Sequence, residues 1–459
     1  MKKFFRENWL PSVLILLVII VAGGYFFANF AKNPSVKIVA NNNQNPYNIT
    51  NLAPKNSYTV KITETEKNGA PVYDYSDASG KNFSAGQPLI FAKNSEQKIT
   101  VENETSVATN VHWHGIVPYP ADQDGALNQI KPGAAYTYDF ATKNQAGTFW
   151  YHSHTRPVSM QVSSGMFGPL VVKDPAEKYD LDQIYVLGTA QINGDSSRNY
   201  SAMSLNRGQI ARLRFIDQSV EYDQTVNFPF SVKVISKDGE NLAKPYFAKS
   251  VHLWEGQRVD VEVANLGAAD FTKFITVGGD GSNTGTNGMD GNSSANTNPE
   301  IPVVYNSSRK SSFAKPVVAP ADQKPSVELL SRKPDFTLAL SENMSENSDS
   351  GMDWTINGQT FSPDMARMNV KVGQTYKIEF TNPGMMGVAH PMHIHGAHFQ
   401  VIAIDGKATN DDTFYDTYPM AARETTDIAI RWDEAGTWVI HCHILVHEDD
   451  GMMAVFQAS

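Results

Sequence analysis

A nine-residue pattern that ends in two histidines occurs twice in the chain, and it constrains the fold more than any other feature. Residues 146–154 read AGTFWYHSH and residues 435–443 read AGTWVIHCH. A second pair, His-Trp-His-Gly at 112–115 and His-Ile-His-Gly at 393–396, also matches. The two matched pairs indicate that the first and last parts of the chain are related copies of one folding unit.

The rest of the sequence indicates β structure. Short apolar runs that alternate in period two are separated by Gly, Pro, Asn and Asp turns. One such run recurs at 97–101, 209–213 and 374–378, which favours three β-sandwich domains. The middle domain contains only His252, so we expect it to act as a spacer. The predicted domains are residues 55–174, 175–325 and 326–459.

The N-terminus has the composition of a membrane-targeting segment. Lys2, Lys3 and Arg6 precede an uncharged stretch at residues 8–31 that is long enough to span a bilayer. No clear small-x-small cleavage site follows, so an uncleaved anchor over residues 1–31 is favoured over a cleaved signal. Residues 32–54 would be a linker. We therefore expect the folded domains outside the cytoplasmic membrane, anchored to it, or secreted if the segment is removed.

Composition narrows the possible partners. The formal net charge is -10 and no basic stripe is present, so nucleic acid is not an expected partner. Cys442 is the only cysteine, which excludes an intrachain disulfide and leaves a thiol or a thiolate.

Histidines carry the strongest functional signal. Ten of the twelve lie in four clusters, and residues i and i+2 of a strand project from one face, so each His-x-His pair can present two imidazoles to one point. Four such pairs predict metal binding, and structural zinc is disfavoured because it prefers closed sites that usually include thiolates. The clusters are His112 and His114; His152 and His154; His390, His393 and His395; and His441, His443 and His447.

The tripeptide at 441–443 indicates which metal. Alternation places Cys442 on one face of a strand and the flanking histidines on the other, so one strand can contact two metal centres. With His390, His447 and Met452, the cysteine supplies two imidazoles, a thiolate and a thioether, which is a blue-copper ligand set. The other eight histidines suit three further copper ions in groups of two, three and three. Such an open imidazole cluster can bind dioxygen.

With these motifs the chain resembles the three-domain multicopper oxidases of the laccase and cuprous oxidase type. The resemblance rests on residues 112–115, 152–154, 390–396 and 441–452. It implies three Greek-key domains of the cupredoxin type and four copper ions: one type 1, one type 2 and two type 3. The implied type 1 ligands are His390, Cys442, His447 and Met452; the type 2 ligands are His112 and His393; and the type 3 ligands are His114, His152, His154, His395, His441 and His443.

The resemblance also implies an activity. A type 1 copper would take single electrons from a substrate, and a trinuclear cluster between the first and third domains would reduce dioxygen to water. Asp124 and Glu448 resemble the acidic residues that supply protons to this reaction, and the alternative is that they are solvated surface carboxylates.

The substrate is less constrained by the sequence. Cuprous oxidases have a methionine-rich insertion and an acid before the first histidine of the third motif, whereas residues 341–354 are short and Met385 and Met386 precede that histidine. Phenols and aromatic amines are therefore the expected reductants. A cuprous oxidase that detoxifies Cu(I) stays the alternative, and a non-enzymatic scaffold is disfavoured because every ligand position is filled.

Overall fold

The structure is a computed structural model that describes residues 46–459 apart from 190, 197–199, 268, 279–297, 310–326, 347, 349 and 385. The predicted N-terminal anchor lies outside the described residues. Among the helices that are described, none is both long and apolar enough to cross a membrane. The fold is all-β, as predicted.

The first part of the chain forms two facing sheets around one core. The orders are β3-β2-β1-β5-β6 and β4-β8-β7, and the core between them includes Val101, Trp113 and Tyr151. A 3-10 helix at Ala121–Gln123 and helix α1 at Val158–Ser163 lie in the connections. The strands are β1 Ser57–Lys67, β2 Ala70–Ser76, β3 Asn82–Phe83, β4 Leu89–Ala92, β5 Glu96–Glu104, β6 Ala135–Ala141, β7 Gly147–His152 and β8 Phe167–Lys173.

The middle part forms one nine-stranded sheet that surrounds its own apolar core. Its order is β10-β9-β12-β15-β13-β16-β17-β11, with β14 also paired to β13. The strands are β9 Leu181–Gly188, β10 Gln191–Ile192, β11 Met203–Arg207, β12 Ile210–Asp217, β13 Gln224–Lys237, β14 Glu240–Leu253, β15 Arg258–Ala264, β16 Phe271–Gly278 and β17 Glu300–Arg309.

The last part again consists of two facing sheets, in the orders β19-β18-β21-β26-β23-β24 and β20-β28-β27-β22-β25. Helix α2 at Val327–Ser331 precedes it, and helix α3 at Leu445–Asp449 follows β27. The strands are β18 Phe336–Met344, β19 Met352–Ile356, β20 Met368–Val370, β21 Thr375–Asn382, β22 His390–Ile394, β23 Phe399–Ile404, β24 Lys407–Ala408, β25 Thr417–Met420, β26 Glu424–Arg431, β27 Gly436–Cys442 and β28 Met453–Ala458.

The recurring alternating run forms a strand in all three parts. Residues 97–101 lie in β5, and the later copies fall in β12 and β21. Each of these strands runs parallel to the first strand of its part, β1, β9 or β18. The alternation follows burial, since β5 buries every second side chain along most of its length. The exact domain boundaries at 174 and 325 stay predictions.

A shared apolar cluster joins the three parts. Trp150 from the first part, Val186 and Ile216 from the middle part and Leu445 from the last part pack together with Tyr47. The three parts therefore meet next to the segment that contains Cys442.

Candidate metal centres

Equivalent histidines of the two copies are paired in the same way. In the first part His112 forms an isolated antiparallel bridge with His152, and in the last part His393 on β22 lies opposite His441 on β27. Directly opposite residues of an antiparallel pair project from the same face. The duplicated sequence pattern therefore forms a duplicated pair of imidazoles.

Cys442 lies on the other face of β27. It is opposite Met392, which shares a face with His390 two residues earlier. The Cys442 Sγ is 3.7 Å from the His390 Nδ1 and 3.6 Å from the His447 Nδ1, and all three residues are buried. The tripeptide thus places its thiol in one group of donor atoms and its two histidines in another, which agrees with the strand alternation expected from the sequence.

Met452 is placed next to this thiol. Its carbonyl accepts a hydrogen bond from the Cys442 N–H at 3.0 Å, its own N–H donates to the His447 carbonyl at 2.8 Å, and its side chain packs in the apolar cluster that contains Cys442. Met453, the first residue of β28, lies opposite His441 of β27. Its side chain is therefore directed to the face away from the Cys442 thiol. Met452 is therefore the better thioether candidate.

The other eight histidines of the four pairs form one buried cluster between the first and last parts. Their ring nitrogens meet in groups of three whose members lie within 4.8 Å of one another. The Nε2 atoms of His112 and His393 are 3.4 Å apart, close to the separation of two ligands that are each about 2 Å from one ion. The groups are His112, His114 and His393; His114, His152 and His443; and His154, His395 and His441.

Hydrogen bonds orient these rings for metal binding. The Nδ1 atoms of four histidines contact carbonyl oxygens, which only accept, so each Nδ1 carries the proton and each Nε2 keeps a lone pair. His114 is oriented the other way: its Nε2 contacts the Thr417 hydroxyl at 3.3 Å, and its Nδ1 has no hydrogen-bond partner among the described residues. The four carbonyl contacts are His112 to Asp124 at 3.3 Å, His152 to Ser153 at 2.8 Å, His393 to Asp416 at 2.9 Å and His441 to Cys442 at 3.1 Å.

Burial favours neutral imidazoles at both centres. It lowers the pKa of His390 and of His154 to about 3, and that of His393 to about 4. Burial also raises the pKa of the Cys442 thiol well above its usual value, so its thiolate requires a bound cation. His114, His152 and His443 each have a buried ring nitrogen without a hydrogen-bond partner among the described residues. This donor set fits copper ions at both places.

Asp124 and Glu448 both lie against the histidine cluster. Asp124 Oδ2 accepts from the His395 Nδ1 at 2.9 Å, and Glu448 Oε2 lies 3.0 Å from the His441 Nδ1. Glu448 Oε1 is also 3.4 Å from the His154 Nε2. Both carboxylates are buried, so the alternative that they are solvated surface groups is wrong.

The middle part contributes directly to the cluster, which corrects the expectation that it is only a spacer. A Cβ on Gly256 would lie 2.8 Å from the His443 ring and 3.0 Å from the His114 ring. Two residues later, Arg258 forms an ion pair with Asp416, which borders His114 and His393. No motif marks these contacts, because they join segments far apart in the sequence.

Sequence reasoning also missed two residues beside the cysteine centre. The Trp354 indole stacks on the His447 ring with centroids 3.6 Å apart and covers it. Glu342 lies opposite Trp354 in the β18–β19 pair and accepts a hydrogen bond from the Met386 N–H at 3.0 Å. Glu342 therefore places a carboxylate beside the segment that precedes the first histidine of the third motif.

The fold and the donor groups define a class: a β-sandwich protein with a cysteine-containing metal-binding site that is joined through the chain to a cluster of imidazoles. Family models described as "Multicopper oxidase" match residues 81–177 and 333–459. The multicopper oxidase mco of Staphylococcus aureus is 27% identical over 436 residues, covering 86% of this chain and 87% of that protein. A laccase of Trametes maxima is 28% identical, covering 76% and 82%.

A solved structure has the same fold. The multicopper oxidase of Campylobacter jejuni, described as a metallo-oxidase, superposes with a TM-score of 0.70 at 20% identity and covers 94% of this chain and 99% of that one. The two family matches and the similarity to relatives named multicopper oxidase identify the first and last parts of this chain as multicopper oxidase domains.

Proposed function

We propose that this protein couples four one-electron oxidations of phenols or aromatic amines to the four-electron reduction of dioxygen to water. The observation that carries the proposal is the placement of Cys442 between two ligand groups. Its thiol lies beside His390 and His447, while its chain neighbours His441 and His443 belong to the histidine cluster.

The donor groups support four copper ions. His390, Cys442, His447 and Met452 would hold the type 1 ion, and His112 and His393 the type 2 ion. Copper in these places supplies one-electron transfer at the cysteine centre and dioxygen reduction at the cluster. The type 3 pair would be held by His114, His152 and His443 on one side and by His154, His395 and His441 on the other.

The chain itself would orient the ligands and hold protons. Carbonyl and carboxylate partners fix the ring tautomers, which keeps lone pairs directed into the cluster. Water formation from dioxygen consumes four protons, and the cluster histidines are buried. Asp124, hydrogen-bonded to the His395 Nδ1, and Glu448, whose Oε2 lies 3.0 Å from the His441 Nδ1, are the groups best placed to deliver those protons.

Substrate would donate its electron near His447. His447 is 8% exposed as a residue, whereas His390 is 1% exposed. A groove of about 450 Å³ reaches Val446, the preceding residue, and is also lined by Glu221, Tyr222 and Ser163. A groove of this size accommodates a single aromatic ring.

A second candidate, Cu(I) oxidation, is favoured by one surface. Glu342, Met344, Met352 and Trp354 share a face of the β18–β19 pair, because Glu342 lies opposite Trp354 and Met344 lies opposite Met352. Met344 is exposed and Met386 is half exposed beside Glu342. The thioethers of Met344 and Met386 and the carboxylate of Glu342 lie next to Trp354, which covers His447. Such a set of groups could bind a soft cation. Met385 lies outside the described residues.

Oxygen uptake with two reductants tests the proposal. The copper-loaded protein should show the blue charge-transfer band, and a phenol without added copper should bleach it and drive oxygen uptake. Uptake with Cu(I) but not with the phenol would favour the second candidate. A protein that is not blue and consumes no oxygen with either reductant would contradict both and favour a scaffold.

Matched variants separate the two candidates. Ser163→Trp fills the exposed rim of the groove, so it should lower kcat/KM for the phenol and leave Cu(I) oxidation unchanged. Glu342→Gln combined with Met386→Leu should do the reverse if the Cu(I) surface is used. Equal effects of both changes on both reductants would contradict two separate sites.

We also propose that residues 1–31 anchor the domains on the outer side of the cytoplasmic membrane. The basic residues before the uncharged stretch support this orientation. The full chain should sediment with membranes, and a chain that begins at Asn33 should be released and still bind copper. A full chain found in the soluble cytoplasmic fraction would contradict the anchor.

A further inference from the structure

A buried ion pair connects the middle part to the last part beside the histidine cluster. Arg258, at the start of β15, contacts both carboxylate oxygens of Asp416, with distances of 2.8 and 2.5 Å. Both side chains have 1% exposure or less. This bidentate hydrogen-bond geometry requires the planar guanidinium and is not available to a lysine.

Asp416 in turn contacts the cluster from two directions. Its carbonyl accepts from the His393 Nδ1 at 2.9 Å, and its Oδ1 lies 3.3 Å from the His114 Nε2. The Thr417 hydroxyl donates to the same Oδ1 at 2.9 Å and is 3.1 Å from the His393 Nδ1. A shift of Asp416 would therefore move or rotate His393 and His114 together.

Arg258 is also held by the first part of the molecule and by its own part. Its Nε donates to the Thr148 carbonyl of β7 at 3.2 Å, its Nη1 to the Gly256 carbonyl at 3.0 Å, and its backbone N–H to the Asp238 carboxylate at 3.0 Å. A Cβ on Gly115 would lie 2.3 Å from the guanidinium. The glycine after the first His-x-His pair thus leaves the space that the ion pair occupies.

We propose that Arg258 is a positioning residue for the histidine cluster: through Asp416, the middle part fixes the ring orientation of His393 and His114. The inference rests on the proposed copper cluster. It adds that the middle part, which has no ligand among its described residues, determines how well His112 and His393 hold the type 2 ion.

The physical reason is the cost of an imperfect buried pair. A buried carboxylate that loses one of its partners shifts towards whatever donors remain. Replacing Arg258 with lysine keeps the positive charge but removes the second hydrogen bond to Asp416. Asp416 then moves, and the contact between its carbonyl and the His393 Nδ1 lengthens. The Cys442 centre, which Arg258 does not contact, should be unaffected.

Copper content and electron paramagnetic resonance of Arg258→Lys test this inference. The copper-loaded variant should keep its blue band but lose up to one copper ion per chain, with a weaker or altered type 2 signal. Arg212→Lys is the matched control: Arg212 is equally buried in the same sheet and pairs with Asp260 and Glu177 away from the cluster. It should destabilise the fold without changing the type 2 signal.

The outcomes separate this inference from the proposed function. An unaltered protein without a type 2 signal would contradict the proposed function itself. An unaltered protein with that signal, together with a folded Arg258→Lys variant whose copper content and signal are unchanged, would overturn the inference alone. If Arg258→Lys does not fold, Thr417→Val removes the hydroxyl between Asp416 and His393. A perturbed type 2 signal in that variant supports the inference, and an unchanged one overturns it.

Discussion

Glu255 is a carboxylic acid that the fold buries completely. Neither of its oxygens has a hydrogen-bond partner among the described residues, and burial raises its pKa to about 8. Between its usual pKa and about 8 the folded protein binds more protons than the unfolded chain, so stability decreases as pH rises through this window. Burial also raises the pKa of neighbouring Asp217 well above its usual value.

We predict that Glu255→Gln flattens this pH dependence. The variant should be as stable as the unaltered protein near pH 5 and more stable near pH 8, because the neutral amide never ionises. Thermal unfolding from pH 5 to 8 is the measurement. Glu66→Gln, a change at an exposed acid, is the control and should leave the slope unchanged. A slope as steep as that of the unaltered protein would contradict the prediction, since the raised pKa of Asp217 can sustain only a smaller one.

Met452 and Met453 offer a second matched pair. We predict that Met452→Leu raises the reduction potential of the type 1 copper and keeps the blue band, because a weak thioether donor stabilises the oxidised ion more than an aliphatic group does. Met453→Leu should change neither, since that side chain is directed away from the thiol. Redox titration of the blue band measures the reduction potential of each variant. Equal shifts of the potential in both variants would contradict the assignment of Met452 as the thioether ligand.

Single-residue predictions from sequence succeed where local geometry is sufficient. His-x-His pairs and the 441–443 tripeptide follow strand alternation, so their faces are predictable. The roles of Trp354, Glu342, Asp416 and Arg258 are not predictable in this way. Each depends on a contact with a distant strand, and such contacts leave no spacing pattern in the chain.

At the scale of elements, the glycine that ends each His-x-His motif has a packing role. Gly115 has a φ of +85°, and an added Cβ would collide with Arg258 and Asp416. Gly396 has a φ of +73°, and its Cβ would collide with the Trp438 ring. The repeated glycine therefore serves the same backbone turn in both copies but accommodates different neighbours.

We predict that Gly115→Ala is more damaging than Gly133→Ala. Gly133 also has a positive φ, +73°, but nothing lies within 4 Å of its Cβ position. Gly133→Ala should cost only about 1–2 kcal/mol of left-handed strain. Gly115→Ala should add about 1–3 kcal/mol of overpacking and weaken the type 2 signal. Denaturant unfolding of both variants measures the difference, and equal costs would contradict the collision.

The strands were largely predictable because alternation and turn residues are local signals. The recurring run forms β5, β12 and β21, as expected. The nine-stranded arrangement of the middle part was not predictable, since strand order depends on long-range pairing such as β11 with β17.

At the scale of the whole molecule, the two half-reactions should depend on different residues. We predict that Asp124→Asn or Glu448→Gln leaves anaerobic bleaching of the blue band by substrate fast and slows its recovery with dioxygen. Both carboxylates contact cluster histidines rather than the Cys442 centre. Stopped-flow absorbance measures each half-reaction, and equal slowing of both would contradict a role in proton delivery.

The proposed function requires that electrons pass from the Cys442 centre to the histidine cluster. The residue that joins them is Cys442, whose side chain belongs to one centre and whose chain neighbours belong to the other. A serine keeps the size and the fold but removes the thiolate.

The most direct measurement is oxygen uptake by copper-loaded Cys442→Ser with a phenol as reductant. We expect no uptake above background and no blue band, in a protein that unfolds cooperatively and keeps the copper of the histidine cluster. A variant that consumes oxygen at a rate comparable to the unaltered protein would contradict the account, because electrons would then reach the cluster without Cys442.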